Sequence, residues 1–215
     1  MRSVVIALIG LAAIAGLHAR ADDYPSKPIR LIIPFTPGGI TDTTARAVTD
    51  RLGARLGQQV VIESRPGAGG NIGTQLVANA APDGYTLLLG FDGTLVINPH
   101  IYAKMPFDTL RDFAPITRLG DATLILVAHP SVPANNIAEL ATLSKQKPGT
   151  LSYGSAGNGT TGHVAAELLR LSAGVDMTHV PYKGGGPAMV DVVAGQIQLV
   201  STAVASAVQF VKQGR

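Results

Sequence analysis

Three stretches of this chain carry residues whose types and spacing suit one task, the holding of a small anion. The longest is Arg65-Pro-Gly-Ala-Gly-Gly-Asn-Ile-Gly-Thr74. The others are Pro37-Gly-Gly-Ile-Thr-Asp42 and Ser155-Ala-Gly-Asn-Gly-Thr160. Glycines let the backbone take positive φ and let a ligand come close to it. A helix that starts at such a loop points unpaired N–H groups, with a partial positive charge behind them, at whatever sits there. That arrangement suits an anion. Each loop alone also reads as an ordinary strand-to-helix turn. Three in one chain, all rich in Gly, Ser, Thr and Asn, point to a binding cleft.

Other chemistries fit less well. Gly67-x-Gly69-x-x-x-Gly73 departs from a dinucleotide fingerprint, because Ile72 sits where the third glycine belongs. Ser155 lies between Gly154 and Gly157, but Tyr153 occupies the first glycine position of a nucleophile elbow. His163 follows eight residues later, in a helix first turn. A secreted serine-type hydrolase using Ser155 is therefore the alternative from another class. His163 reads as a polar wall of the cleft or as a partly exposed helix residue. His100, His129 and His179 occur singly, with no H-x-x-x-H spacing, and there is no cysteine. Neither a metal site nor a cofactor is expected. Glu63 and Arg65 read as a surface pair at a strand end. Lys183 stands beside three glycines. It reads either as a cation for a carboxylate or as a solvated turn lysine.

The elements that must position these loops follow from periodicity. Ile29–Phe35 reads as a buried strand, followed by a helix from about Thr41 to Leu56 with Ala45, Val48, Leu52 and Leu56 on one face. Gly57 ends that helix. Gln59–Glu63 is a second strand, and Ile72, Leu76 and Ala80 mark the helix after the central loop. Thr86–Phe91 is a third strand, ending at Asp92-Gly93-Thr94. Pro115–Leu119 and Thr123–Val127 read as extended, with a domain crossover near Leu119–Ala122. The pattern then restarts: a helix at Ile137–Lys145, a strand at Leu151–Gly154, and a helix at Thr161–Leu171 with Val164, Leu168 and Leu171 inward. A strand at Thr178–Pro181, a short helix after Pro187, a strand at Gln196–Ser201 and a helix at Ala203–Lys212 complete the chain. Strands alternating with helices predict parallel α/β sheets, with ligands beyond the carboxyl ends of the strands.

The chain has 215 residues, 46% hydrophobic and 14% charged, enough for a sizeable core in one or two domains. The net charge of +3 is dispersed, without a run of Lys or Arg, so nucleic acid is not an expected partner. Arg2, the apolar run Val4–Leu17 and Ala19-Arg-Ala21 before Asp22-Asp23 spell a secretory signal peptide cleaved after Ala21. The run is shorter than a membrane span needs, so a soluble exported protein is expected. The segments are 1–21 as signal peptide, 22–120 as a first α/β domain and 121–215 as a second.

Several motifs together resemble a known family. Pro34-Phe-x-Pro-Gly-Gly-x-x-Asp42 with Ala45-Arg46 matches its first loop. Glu63-x-Arg-Pro-Gly-Ala-Gly-Gly-Asn-Ile-Gly73 and Pro82-Asp-Gly-Tyr-Thr86 match its second. Ile97-Asn-Pro99, Ser155-Ala-Gly-x-Gly-Thr160 and His179-Val-Pro-Tyr-Lys-Gly184 complete the set. From about Tyr24 to Arg215 the chain resembles the Bug family, the solute-binding proteins of tripartite tricarboxylate transporters.

The resemblance implies a type II periplasmic-binding fold, two α/β domains joined by a hinge and closing on a small organic acid. It implies membrane permease subunits as partners, with a receptor that feeds a membrane sensor as the variant reading, and a monomer. Carried onto this sequence, Pro37, Gly38, Gly39, Asp42, Gly69, Gly70, Asn71, Gly73 and Thr74 grip one carboxylate. Asp92 and Thr94 line the cleft. Ser155, Gly157, Thr160, His163, Tyr182 and Lys183 hold the far end. Family members run well past Arg215, so the first domain is expected to be incomplete in this chain. Where amino-acid-binding members carry an Asp suited to an ammonium group, this chain has Thr202. The expected ligand therefore lacks a positive amine: a di- or tricarboxylate, or an aromatic acid.

Overall fold

The computed structural model describes residues 24–215, so the expected signal peptide lies outside the described residues. The first lobe is built on β1 (Ile29–Ile33), flanked in parallel by β2 (Val60–Ser64) and β3 (Thr86–Leu88) in the order β2-β1-β3. Helix α1 (Ile40–Leu56) packs on β1 and β2, and α2 (Asn71–Ala78) on β1 and β3. The branched run of β1 explains its central place. Ile29, Leu31 and Ile33 are buried in one cluster with Ala45, Leu52 and Leu56 of α1. Arg30 stays outside and binds Glu63, which also takes Arg65, so the expected surface pair is a triad across β1 and β2. After β3 the chain winds through Gly93–Ile97 into the short α3 (Asn98–Ile101).

The second lobe contains β4 (Leu124–Ala128), α4 (Ile137–Gln146), β5 (Ser152–Ser155), α5 (Thr161–Ala173), β6 (Thr178–Pro181), α6 (Gly185–Val193), β7 (Leu199–Ala203) and α7 (Val204–Lys212). Its sheet has the order β4-β7-β5-β6. Tyr153 and Leu199 face a core made with α4 and α5, while Val200 faces one made with α6 and α7. That is the alternation of a sheet covered on both sides.

Four expectations need correction. The second sheet is not wholly parallel, since β4 runs antiparallel to β7. Residues 114–123 are exposed and unpaired, so Pro115–Leu119 is a connecting strap and no strand. Ile72 is exposed and α2 ends before Ala80; the buried side of α2 is Asn71, Gly73 and Thr74. On α5, Val164, Leu168 and Leu171 point outward, with Leu171 70% exposed. The inward face is Gly162 and Ala166, because α5 lies close on β7: a Cβ on Gly162 would stand 2.7 Å from the Ser201 carbonyl. Close approach selects small residues, and the leucine spacing marks the opposite face.

Candidate functional site

The carboxyl ends of β1, β3, β5, β6 and β7 open into one cavity between the lobes. Three helices begin on it. The start of α1 supplies Gly39, Ile40 and Thr41, that of α5 supplies Thr160, Thr161 and Gly162, and that of α6 supplies Gly185. The residues that cap these helices, Gly39, Thr160 and Gly184, make no side-chain capping bond. Their first-turn N–H groups thus have no side-chain acceptor. Ser201, Thr202 and Ala203 bring the end of β7 to the same place, although the first N–H of α7 is taken by the Thr123 carbonyl. The remaining wall is carbon: Phe35 and Phe91 meet edge to face at 5.2 Å, with Ile40, Ala122, Leu124 and Ala156 around them. Among the described residues no charged side chain lines the cavity.

Two backbone seams flank it. In one, the Thr36 N–H donates to the Lys183 carbonyl at 3.1 Å, and Gly184–Gly186 lie against Thr36–Gly39. A Cβ on Gly186 would stand 2.5 Å from the Pro37 carbonyl oxygen, and one on Gly184 would overlap Thr36 Oγ1. In the other, Gly69 of the first lobe meets the Asn158 carbonyl, and Gly159 meets Asn98. A side chain is excluded at Gly69, Gly159, Gly184 and Gly186, where the lobes meet closely through main chain and through the Thr36 and Asn98 side chains.

Among the residues expected from sequence, Gly39 and Thr160 line the cavity. Pro37 and Gly38 lie beside it, and the Gly38 N–H is claimed by the Asp42 carboxylate, which also takes Arg46. Burial raises the Asp42 pKa, but those two bonds outweigh it and hold the carboxyl below its usual range. Of the central loop, Gly69 faces the second lobe at the seam, Gly73 packs on Pro34 and the Arg65 carbonyl, Asn71 and Thr74 are buried, and Gly70 lies behind the Phe35 ring. A Cβ on Gly70 would meet that ring at 3.2 Å and overlap Thr94 Oγ1. The Gly69 carbonyl accepts from Thr94 Oγ1 and Asn98 Nδ2, and Asn98 Nδ2 also donates to Asn71 Oδ1 at 2.8 Å. Asp92 accepts from the Gly93 N–H. Tyr182 is half-buried and donates to Asp191; burial, then that carboxylate, push its pKa up to about 12. The Lys183 side chain is exposed, and its carbonyl serves the seam.

Ser155 is fully buried and shares a 2.7 Å hydrogen bond with His179 Nε2. His179 does not stand alone, as the sequence had implied. Parallel pairing of β5 with β6 sets it beside Tyr153, and its ring stacks between Tyr153 and His163. His163 Nδ1 accepts from the Gly159 N–H, tying α5 to the loop before it. Burial, and then the neighbouring His163, push the His179 pKa down to about 4; burial lowers that of His163 as well.

Sequence reasoning did not place Phe35, Phe91, Ala122, Leu124, Thr161, Gly162, Gly185, Ser201 or Ala203 on the cavity; Ile40, Thr41 and Ala156 fall inside the loops Pro37–Asp42 and Ser155–Thr160 that it marked, and Thr202 stands where a carboxylate is lost. A signal existed for Thr161 and Gly162: each falls in the first turn after an expected glycine loop. None existed for Phe35 and Phe91, which read as strand core.

A family model described as the tripartite tricarboxylate transporter family receptor matches residues 44–215. The protein BugT of Bordetella pertussis is 39% identical over 197 residues, which are 90% of this chain and 60% of BugT. A Rhodopseudomonas palustris protein solved with adipate superimposes with a TM-score of 0.85 at 34% identity, over 89% of this chain and 64% of that one. MatC of the same organism, solved with bound malate, gives 0.84 at 33% identity, over 89% and 65%. The architecture is the two-lobed α/β fold of periplasmic binding proteins. The chain spans 60% of the length of BugT and 64–65% of the two Rhodopseudomonas palustris chains.

Proposed function

We infer the function from membership: the chain belongs to the tripartite tricarboxylate transporter receptor family, a family of receptors and not of enzymes. We propose that it captures a small organic acid between its lobes in the periplasm and delivers it to the membrane permease of a tripartite tricarboxylate-type transporter. One observation carries this reading: three helices of nine residues or more begin, without side-chain caps, on a cavity between the lobes that has no charged side chain. Each helix start presents about half a positive charge and unpaired donors. A carboxylate is the group that accepts from them without needing a counter-ion. Relatives solved with malate and adipate support the class.

The mechanism is hinge closure. A ligand that touches α1 of the first lobe and α5 or α6 of the second favours the state in which the lobes meet. The close seams limit the room for a filling, since a Cβ on Gly69, Gly159, Gly184 or Gly186 would overlap the facing lobe. Thr202 leaves the cavity without a carboxylate, so an α-ammonium group would be buried without a partner, and amino acids are disfavoured. Among the described residues no helix is long and apolar enough to cross a membrane.

Native mass spectrometry of the protein taken from periplasm, before and after denaturation, tests the proposal. A small acid lost on denaturation is the expected result. Release of a dinucleotide, or tight binding of aspartate with no binding of simple organic acids in titration, would overturn it.

A further inference from the structure

The anion-binding ends occupy only part of the cavity. Between them the wall is mostly carbon, made by the Phe35–Phe91 pair with Ile40, Ala122, Leu124 and Ala156. Phe35 is itself only 4% exposed, and the tip of its ring lies against Gly70. The pair cannot turn a polar edge to a ligand, because neither ring has one. The polar side chains that line the cavity, Thr41, Thr160, Thr161, Ser201 and Thr202, lie at the helix starts and at the end of β7, and the Thr160 hydroxyl already donates to the Gly157 carbonyl. A ligand hydroxyl placed mid-chain, against the rings, would lose water and gain no partner. A methylene or aromatic carbon in that place loses only apolar surface to apolar surface.

We propose that the site selects acids with a bare hydrocarbon body, aliphatic or aromatic, over hydroxylated acids of the same length and charge. The inference rests on the receptor reading above and sharpens it to a substrate class. The discriminating residue is Phe91, which stands at the end of β3 with its ring on the cavity, while Phe35 fixes the ring's angle.

Isothermal titration with matched acids tests it. Succinate and malate differ by one hydroxyl; benzoate and adipate extend the hydrocarbon series. Succinate is expected to bind about tenfold more tightly than malate, the cost of burying an unpartnered hydroxyl. Adipate or benzoate is expected to equal or exceed succinate. Phe91→Tyr supplies a hydroxyl at the wall and should narrow the succinate-to-malate ratio severalfold. Circular dichroism shows whether that variant is folded, and Phe91→Leu, which keeps the wall carbon, should preserve the ratio. Malate binding as tightly as succinate in the parent overturns this inference and leaves the receptor reading standing. Failure of every acid to bind at millimolar concentration overturns both.

Discussion

Two glycine loops of the first lobe look alike in sequence and pack differently in the structure. Each follows a strand and opens a helix. The loop at residues 37–41 ends with the start of α1 on the cavity. The loop at residues 67–74 ends with the start of α2 packed behind Phe35, Thr94 and Asn98. In the first, Gly39 leaves space: an added Cβ would meet nothing closer than the Gly185 nitrogen at 3.5 Å. In the second, glycine leaves room for the chain itself: Gly70 and Gly73 are filled by Thr94, Phe35, Pro34 and the Arg65 carbonyl. A glycine-rich strand-to-helix turn therefore marks close approach, and the neighbours decide whether a ligand or a side chain approaches.

The comparison is most exposed at Gly70. It takes φ 94°, where an L-residue is strained, and an added Cβ overlaps Thr94 Oγ1. Strain and overpacking together predict a loss of about 3 kcal/mol for Gly70→Ala. A urea titration reads this directly. A variant as stable as the parent would mean that the second loop is open, like the first. Next in size is Asn98→Ala. It removes the donor to the Gly69 carbonyl and to Asn71 Oδ1, at a cost of about 2 kcal/mol, part of it offset by loss of the unpartnered Asn98 Oδ1. Loss of acid binding in either variant should track loss of stability. Binding that disappears from a fully stable Asn98→Ala protein would return the central loop to the ligand.

How much of this was legible beforehand depends on what decided each position. Apolar runs such as Ile29–Ile33 have no alternative to burial, and the element order followed from them. The glycine loops were visible as loops, because a positive φ or a close approach leaves a glycine. Their partners were not visible, since Thr94, Asn98 and Phe35 reach the central loop only through tertiary packing. The face of α5 was misread for a related reason. Period alone says that Val164, Leu168 and Leu171 share a side, but not that Gly162 and Ala166 oppose them against β7. Likewise the stack of Tyr153, His179 and His163 depends on the register of β5 with β6, which no local pattern contains.

The third glycine loop, residues 155–160, sits between the two extremes: Thr160 lines the cavity while Ser155 is sealed against His179. Its attachment to α5 uses a neutral His163, which accepts from Gly159. Both stacked histidines have pKa values below the ordinary 6.5, His179 at about 4. The folded state then holds fewer protons than the unfolded chain between those limits. Stability is full above about pH 6.5 and falls as pH drops toward 4. Glu167, facing the pair from α5, keeps part of its opposing charge, so the effect is moderated. The melting temperature of the parent should fall by roughly 3 °C more than that of His163→Asn between pH 7 and pH 5. Asn can accept from Gly159 without titrating, so identical pH profiles would detach this loop from the histidine pair.

The smallest stability effect belongs to the open loop. Gly39 has φ −91°, which any residue can adopt, and an added Cβ would stand 3.5 Å from the Gly185 backbone nitrogen, an ordinary contact. Gly39→Ala should therefore change stability by less than about 0.5 kcal/mol. Its methyl nonetheless intrudes between the starts of α1 and α6, where the ligand carboxylate would accept from both. Succinate affinity should fall about tenfold, as when a buried charged acceptor loses one of its donors. Gly70→Ala and Gly39→Ala thus separate two meanings of one motif: the first should destabilise the protein and weaken binding only as a consequence, and the second should weaken binding alone. A stable Gly39→Ala protein with unchanged succinate affinity would remove the first loop from the site and leave the second-lobe helix starts to hold the anion.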